Sequence, residues 1–153
     1  MDRTKEILYL EVRSHRMLKD YYYEQAKRSR RKEYKDKYTS WADMCKHDEN
    51  VVINLIVMLY GKEYKDTLAD IEKFIADYNQ KELDSCIARC KKFINLARSG
   101  AVKLDFQDAL DSYNDMKLIS GNVKLDTEEY RACKAEFEQT FEKELSKRKR
   151  CAK

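Results

Sequence analysis

The 153-residue chain has no proline, whereas about 5% is usual in globular proteins, and it has only three glycines. Little else in the sequence can interrupt a helix, because proline and glycine are the two strong helix breakers. Each glycine follows a run with helical spacing, at the place where a left-handed backbone ends a helix and favours glycine. We therefore predict helix ends at Gly61, Gly100 and Gly121.

Residues suited to catalysis or to a secreted scaffold are also scarce. There are two histidines, His15 and His47, and three isolated glycines cannot form a phosphate-binding loop, so we expect no enzyme and no cofactor. The five cysteines are an odd number and no apolar leader opens the chain, which argues against disulfide bonds. No apolar run approaches the roughly 20 residues of a membrane span. We expect a soluble cytoplasmic protein without a membrane partner, or a nuclear one in a eukaryotic or viral setting.

Apolar residues recur every three or four positions along most of the chain, which is the spacing of amphipathic helices. We predict an all-α, single-domain bundle of about six helices over residues 1–153, with a long N-terminal helix and a basic, frayed tail at 147–153. We favour one continuous helix through residues 27–32, because no glycine, proline or asparagine offers a stop there. Glu24 and Arg28 also have the favourable order for an ion pair across one helical turn.

Two local patterns refine this architecture. Residues 51–60, after the polar stretch 47–50, are apolar on nearly every side, which favours a buried central helix, and the amphipathic stripe that follows ends at Asn79. Residues 99–105 recur at 120–126 with one difference. Such a connector would end one helix at glycine, place its Val and Leu in the core, and cap the next helix with Asp105 or Asp126.

Charge is distributed unevenly along the chain. Residues 1–38 contain 12 Lys and Arg against 7 Asp and Glu, and residues 147–153 contain five cations and no acidic residue, so the middle of the chain is acidic. Basic ends around an acidic body can steer an anionic partner to those ends. A merely solvated surface would show the same distribution.

The first candidate site is the basic stretch 27–37, where tyrosines alternate with cations; the second is the run of four cations in the tail. Cations contact phosphates, and aromatic faces stack on unpaired bases. Alternatively, the tyrosines belong to the core, the cations to a solvated helix face, and the tail to the C-terminal end of a helix dipole. The nucleic-acid candidates are Lys27, Arg28, Arg30, Arg31, Lys32, Tyr34, Lys35, Lys147, Arg148, Lys149 and Arg150.

Two sets of residues could be considered as metal ligands. One is a row of carboxylates on a single helix face, which cannot surround a hard cation: Asp105, Asp108, Asp111 and Asp115. The other combines thiols with one imidazole, although two of its thiols fall on an apolar stripe typical of a core: Cys45, His47, Cys86 and Cys90. We expect no bound metal.

We predict a non-enzymatic accessory or regulatory protein that contacts nucleic acid within a larger assembly, using both basic segments on one shared surface. The alternative is a protein-binding adaptor or inhibitor with an aromatic and arginine surface, since these residue types are enriched at interface hot spots. Its candidate contacts are Tyr21, Tyr22, Tyr23, Tyr38 and Trp41. Exposed cations interleaved with aromatic side chains would favour nucleic acid, and an aromatic patch without them would favour a protein. Self-association through the first helix stays open.

Overall fold

The computed structural model describes residues 1–100, 106–120, 125 and 127–151. These residues form five α-helices and no strand, which confirms the all-α class with one helix fewer than expected. In chain order the helices are α1 (Arg3–Arg28), α2 (Lys32–Tyr60), α3 (Tyr64–Arg98), α4 (Phe106–Ser120) and α5 (Glu128–Cys151).

Helix ends follow local side-chain and backbone preferences. Asp2 caps α1 by accepting a hydrogen bond from the backbone N–H of Thr4 at 3.1 Å. Gly61 ends α2 with φ 66° and donates its N–H to the carbonyl of Val57, and Gly100 follows α3 with φ 70°. These two predicted helix ends are confirmed, and the third glycine lies outside the described residues.

The chain divides into two compact units, Met1–Tyr78 and Asn79–Lys153, which we call unit 1 and unit 2. The division falls within α3. Unit 1 therefore contains α1, α2 and the first part of α3, and unit 2 contains the remaining helices. The single-domain organisation stays a prediction.

Unit 1 is built on an antiparallel pair of helices, α1 and α2. Tyr60 near the end of α2 donates its hydroxyl to Asp2 at 2.9 Å, and Tyr23 near the end of α1 donates to Asp43 at 2.8 Å. The first part of α3 completes the core, because apolar side chains of all three helices leave water together. The buried apolar residues of unit 1 are Tyr9, Val12, Val52, Ile53, Ile56, Ile71 and Ile75.

A charged network joins the three helices of unit 1. Arg16 donates to Glu49 and to Glu72, each at 2.6 Å, and Lys19 donates to Glu49 at 3.0 Å. The side chain of Glu49 is only 9% exposed, and burial alone would raise its pKa. The hydrogen bonds and charges of the two cations outweigh burial and hold the pKa of Glu49 below its ordinary value. Glu49 is therefore a paired, charged side chain of the interior.

Unit 2 packs the second part of α3 with α4 and α5. Its buried apolar residues are Leu83, Cys86, Ile87, Cys90, Phe93, Ile94, Ala109, Met116, Ile119, Leu125, Tyr130, Cys133 and Phe137. The phenol of Tyr130 donates to the carbonyl of Met116 at 2.7 Å, so its burial leaves the hydroxyl bonded. Thr127 caps α5, because its hydroxyl accepts the N–H of Tyr130 at 3.2 Å. Both predicted caps, Asp105 and Asp126, lie outside the described residues.

Three helix boundaries differ from the expectation. Residues 29–31 interrupt the helix that was predicted to run through residues 27–32, whereas the polar stretch 47–50 and Asn79 lie inside α2 and α3. Reversal at 29–31 lets the apolar sides of α1 and α2 face each other, while one straight helix would leave both in water. Tertiary packing, not a local helix breaker, therefore sets this boundary.

Residues 51–60 are helical as predicted, but the prediction that they form a buried central helix is wrong. These residues form the last part of α2, and only one side of it is covered by α1 and α3. The buried residues of this part are Val52, Ile53 and Ile56. The exposed large apolar residues are Val51, Leu55, Met58 and Leu59.

Candidate nucleic-acid interface

The turn between α1 and α2, residues 29–31, forms one end of the helix pair. Ser29 ends α1 by donating both its N–H, at 3.0 Å, and its hydroxyl, at 2.8 Å, to the carbonyl of Gln25. Ser29 and Arg31 have extended backbones, with ψ 130° and 131°, so the turn needs no glycine. The reversal brings the cations at the end of α1 next to those at the start of α2.

Seven lysine and arginine side chains surround this turn, and we call residues 27–37 the basic tip. Only two acidic residues, Glu33 and Asp36, lie in the same segment. A surface with this imbalance has a positive potential that attracts anions. All seven cations are exposed: Lys27, Arg28, Arg30, Arg31, Lys32, Lys35 and Lys37.

Few of these cations are engaged by the protein itself. Arg28 donates to Glu24 at 3.3 Å across one turn of α1, an exposed pair of the kind that contributes little to stability. Lys37 lies 4.9 Å from the ring centre of Trp41. Within the described part of the chain, the side chains of five cations make no hydrogen bond or ion pair: Lys27, Arg30, Arg31, Lys32 and Lys35.

The aromatic side chains next to the basic tip mainly hold α1 to α2. Tyr22 stacks on Tyr38 with ring centres 6.3 Å apart and contacts Trp41 at 5.5 Å. The hydrogen bond from Tyr23 to Asp43 raises the pKa of the Tyr23 phenol. Most aromatic residues considered as protein contacts are thus engaged between the two helices.

Tyr34 has a different position, because it lies within the basic tip itself. Its side chain is 46% exposed, and it makes no ring contact among the described residues. Exposed cations, Arg31 and Lys35, lie three residues before it and one residue after it. Tyr21 is also exposed, but it lies on α1 and contacts Tyr22 with ring centres 5.6 Å apart. Tyr34 is therefore an accessible aromatic ring that lies among exposed cations, as the nucleic-acid prediction requires.

The second predicted site, in the C-terminal tail, is helical as far as Cys151. Lys147 donates to Glu144 at 3.1 Å, and Arg148 also has an interaction partner, so the protein compensates part of the tail's charge. The tail belongs to unit 2 and the basic tip to unit 1. That they form one shared surface stays a prediction. The four exposed tail cations are Lys147, Arg148, Lys149 and Arg150.

The carboxylates considered as metal ligands have other roles. Asp115 accepts from Arg89 at 2.6 Å, and Asp111 accepts from Gln107 at 3.0 Å. Asp105 lies outside the described residues. Across residues 1–100, 106–120 and 127–151, no group of three or more His, Cys, Asp or Glu side chains is arranged to hold a metal ion.

Three thiols, Cys86, Cys90 and Cys133, lie in the core of unit 2. The hydrogen bond between Cys86 and Cys90 raises the pKa of Cys90 and lowers that of Cys86, and burial raises the pKa of Cys133. Burial also raises the pKa of Cys45, which lies in unit 1. The three core thiols pack as small apolar side chains.

Two features of unit 1 were missed by the sequence reasoning. The network around Glu49 depends on how α1 and α2 align, and no short-range pattern reports that alignment. The exposed apolar side of α2 did leave a signal, because Met44, Val51 and Met58 recur every seven residues. That spacing is typical of a helix that pairs with another helix.

Comparison with protein-family models, with curated proteins and with solved structures gives no match to this chain. None of the helices in the described residues has both the length and the apolarity needed to cross a membrane. The function is therefore inferred from the side chains of the basic tip.

Proposed function

We propose that this chain is a non-enzymatic accessory protein that binds nucleic acid through the basic tip, whose lysine and arginine side chains hold phosphates. The observation that carries the proposal is the set of five exposed cations that have no partner within the described residues. They lie around a turn that is fixed by the capping of Ser29 and by the packing of Tyr22 on Tyr38. Each cation that contacts a phosphate releases a counterion, so the affinity grows with the number of contacts.

The exposed ring of Tyr34 favours a single-stranded nucleic acid over a duplex as the ligand. A base stacked on an accessible aromatic ring contributes about 1 to 3 kcal/mol, and such stacking requires a base that is free of its own duplex. The exposed ring of Tyr34 lies among the phosphate-binding candidates, so one strand could engage both. The tail cations, residues 147–150, are proposed as a second, weaker contact.

The salt dependence of binding tests the phosphate contacts. A fluorescently labelled single strand, measured by anisotropy, is expected to lose about 50-fold in affinity between 50 and 200 mM salt if four phosphates are held. An affinity that hardly changes over this range would exclude phosphate contacts as the source of binding.

Charge reversal locates the site. Combined Arg28→Glu, Arg30→Glu and Arg31→Glu substitutions are expected to weaken binding at least about 100-fold with helix content unchanged, because all three side chains are exposed. The matched control, with the same change in net charge, reverses three exposed lysines away from the basic tip: Lys65→Glu, Lys73→Glu and Lys81→Glu. Equal losses in both triple variants would indicate general attraction rather than a site.

The stacking role of Tyr34 is tested by Tyr34→Ala. We expect a loss of about 5- to 100-fold for a single strand and little change for a duplex. Tyr64→Ala is the control, since Tyr64 has nearly the same exposure, 45%, and lies outside the basic tip. Equal effects on single strand and duplex would contradict stacking.

The protein-binding adaptor stays the alternative. Its exposed aromatic candidates are Tyr21 and Trp41, and Trp41 already contacts Lys37 and Tyr22. If the chain binds no nucleic acid at low salt, but a protein from its native host co-purifies through these two residues, the adaptor replaces the nucleic-acid proposal.

A further inference from the structure

The side of α2 that faces away from α1 carries a row of uncovered apolar side chains. Their exposed fractions range from 42% to 81%, and Met58 is the most exposed. No charged residue lies between Glu49 and Lys62, so most of the row has no charge beside it on its own helix. We call the row the α2 stripe; its members are Met44, Val51, Leu55, Met58 and Leu59.

The order of residues in the α2 stripe fits pairing with another helix. Met44, Val51 and Met58 are seven residues apart, and Leu55 follows Val51 by four, so they lie on one face as the two core positions of a heptad do. Trp41, 38% exposed, extends this pattern by one turn toward the basic tip. Met44, Val51, Leu55 and Met58 face a different side of α2 from the buried Val52, Ile53 and Ile56. Trp41 lies at the boundary between the two sides, where it contacts Tyr22 of α1.

We propose that the α2 stripe binds a second copy of this chain, with the two α2 helices antiparallel around a two-fold axis. In this register Met44 of one copy lies beside the partner's Leu55, and Trp41 lies beside the partner's Met58. The same two contacts form again on the other side of the axis, as two-fold symmetry requires. The α2 stripes of two antiparallel copies therefore match each other along their length.

The exposed area is sufficient for a weak dimer. The five side chains expose roughly 500 Å² of apolar surface, which is near the upper limit of the largest patch on a typical monomer. Two copies would bury about 1,000 Å², the lower limit of a specific interface, so we expect a dimer in equilibrium with the monomer rather than a permanent one. The interface does not depend on nucleic acid.

Charge favours the antiparallel direction over the parallel one. A parallel pair would place Asp48 directly against the partner's Asp48, because both would occupy the same core position. It would also bring the two basic tips together at one end, where like charges repel. The antiparallel pair places Asp48 beside the partner's Val51, offset by three residues from the partner's Asp48, and it places the basic tips at opposite ends.

Light scattering or sedimentation equilibrium without nucleic acid tests the dimer. At concentrations up to about 100 µM, the mass of the wild type should rise from 18.3 kDa toward twice that value. Met58→Glu should keep the mass of a monomer throughout, because it places a charge in the interface, and its fold should survive since Met58 is solvent-exposed. Leu110→Glu is the matched control: Leu110 is an exposed leucine of α4, and its replacement should leave the dimer intact.

A wild type that stays monomeric at every concentration would overturn the proposal and leave the α2 stripe to a different protein. A dimer that persists in Met58→Glu would overturn it as well, because association would then use another surface. Since neither measurement includes nucleic acid, the failure of the dimer and the failure of the proposed function are distinguishable.

Spin labels test the direction. A single nitroxide at Thr39→Cys, in a background with Cys45→Ala and Cys151→Ser, should give a distance of about 30 Å between copies, from 1.5 Å per residue along two antiparallel helices. The three remaining cysteines are buried and should resist labelling in the folded protein. A distance near 10 Å would indicate a parallel pair and overturn the antiparallel assignment.

Discussion

Glu49 of α2 is the centre of the charged network of unit 1. It pairs directly with Arg16 and Lys19 of α1, and Arg16 also pairs with Glu72 of α3. Its pKa in the folded protein lies below the ordinary value of 4.5. A lowered folded pKa means that the charged form stabilises the fold above pH 4.5, and that this contribution is lost as the pH falls through the folded pKa.

Glu49→Gln should therefore destabilise unit 1 in a pH-dependent way. At pH 7 we expect the free energy of unfolding to fall by about 2 kcal/mol, because a buried charge-assisted pair is lost. At pH 3 the difference between the variant and the wild type should be smaller than at pH 7, because part of the contribution of the Glu49 charge is lost below pH 4.5. Urea unfolding followed by the fluorescence of Trp41, the only tryptophan, measures the effect in unit 1.

Glu24→Gln is the control, since it removes only the exposed pair with Arg28. It should change the stability slightly at either pH. A destabilisation of Glu49→Gln that is equal at pH 7 and pH 3 would contradict a role for the carboxylate charge.

The sequence predicted residue exposure better than residue pairing. The cations of the basic tip are exposed as anticipated, because long charged side chains are rarely buried without partners. The contacts of Tyr22 with Tyr38 and Trp41 were not predicted, since they exist only after the chain reverses at residues 29–31.

At the level of helices, periodicity predicted the class but not the boundaries. A helix can end where no glycine, proline or asparagine is present, as it does at residues 29–31, and polar residues can interrupt the apolar pattern without ending the helix, as at residues 47–50. The decisive factor was the number of neighbouring helices available to cover residues 51–60. With α1 and the first part of α3 on one side, the opposite side stayed exposed.

The glycine at the end of α2 provides a test of a boundary that the sequence did predict. Gly61 has φ 66°, and an added Cβ would meet no atom within 4 Å, so only the backbone conformation opposes a larger residue. Gly61→Ala should lower the free energy of unfolding of unit 1 by about 1 kcal/mol. Urea unfolding would measure this loss, and Asn54→Ala on the exposed side of α2 should show no comparable loss. Equal stabilities of the Gly61→Ala variant and the wild type would contradict the role of the left-handed backbone.

On the scale of the whole molecule, the two proposals combine into a protein with two separated nucleic-acid contacts. Each basic tip begins its α2 about 17 residues from the proposed two-fold axis, so the tips would lie roughly 50 Å apart at 1.5 Å per residue. A single strand that reaches both tips would bind twice, and the second contact would form at a high effective concentration.

Strand length should therefore affect the affinity. We expect a 30-nucleotide strand to bind at least about tenfold more tightly than a 5-nucleotide strand, because the short strand cannot span roughly 50 Å even when fully extended, whereas the long strand can. The Met58→Glu variant should bind both lengths with similar affinity. An equal length dependence in the variant and the wild type would show that the gain does not require two copies.

The turn at residues 29–31 has a further consequence for how the chain meets a protease. Trypsin cleaves after lysine and arginine, and it needs an extended segment that fits its cleft, which Arg30 and Arg31 provide and the helical cations do not. Limited digestion should cut at this turn, as it should after Lys62 in the connector between α2 and α3, and the cut at the turn should leave two fragments held together by the core of unit 1. A bound strand should slow that cut, so the rate of a single nick would report occupancy of the turn without any label.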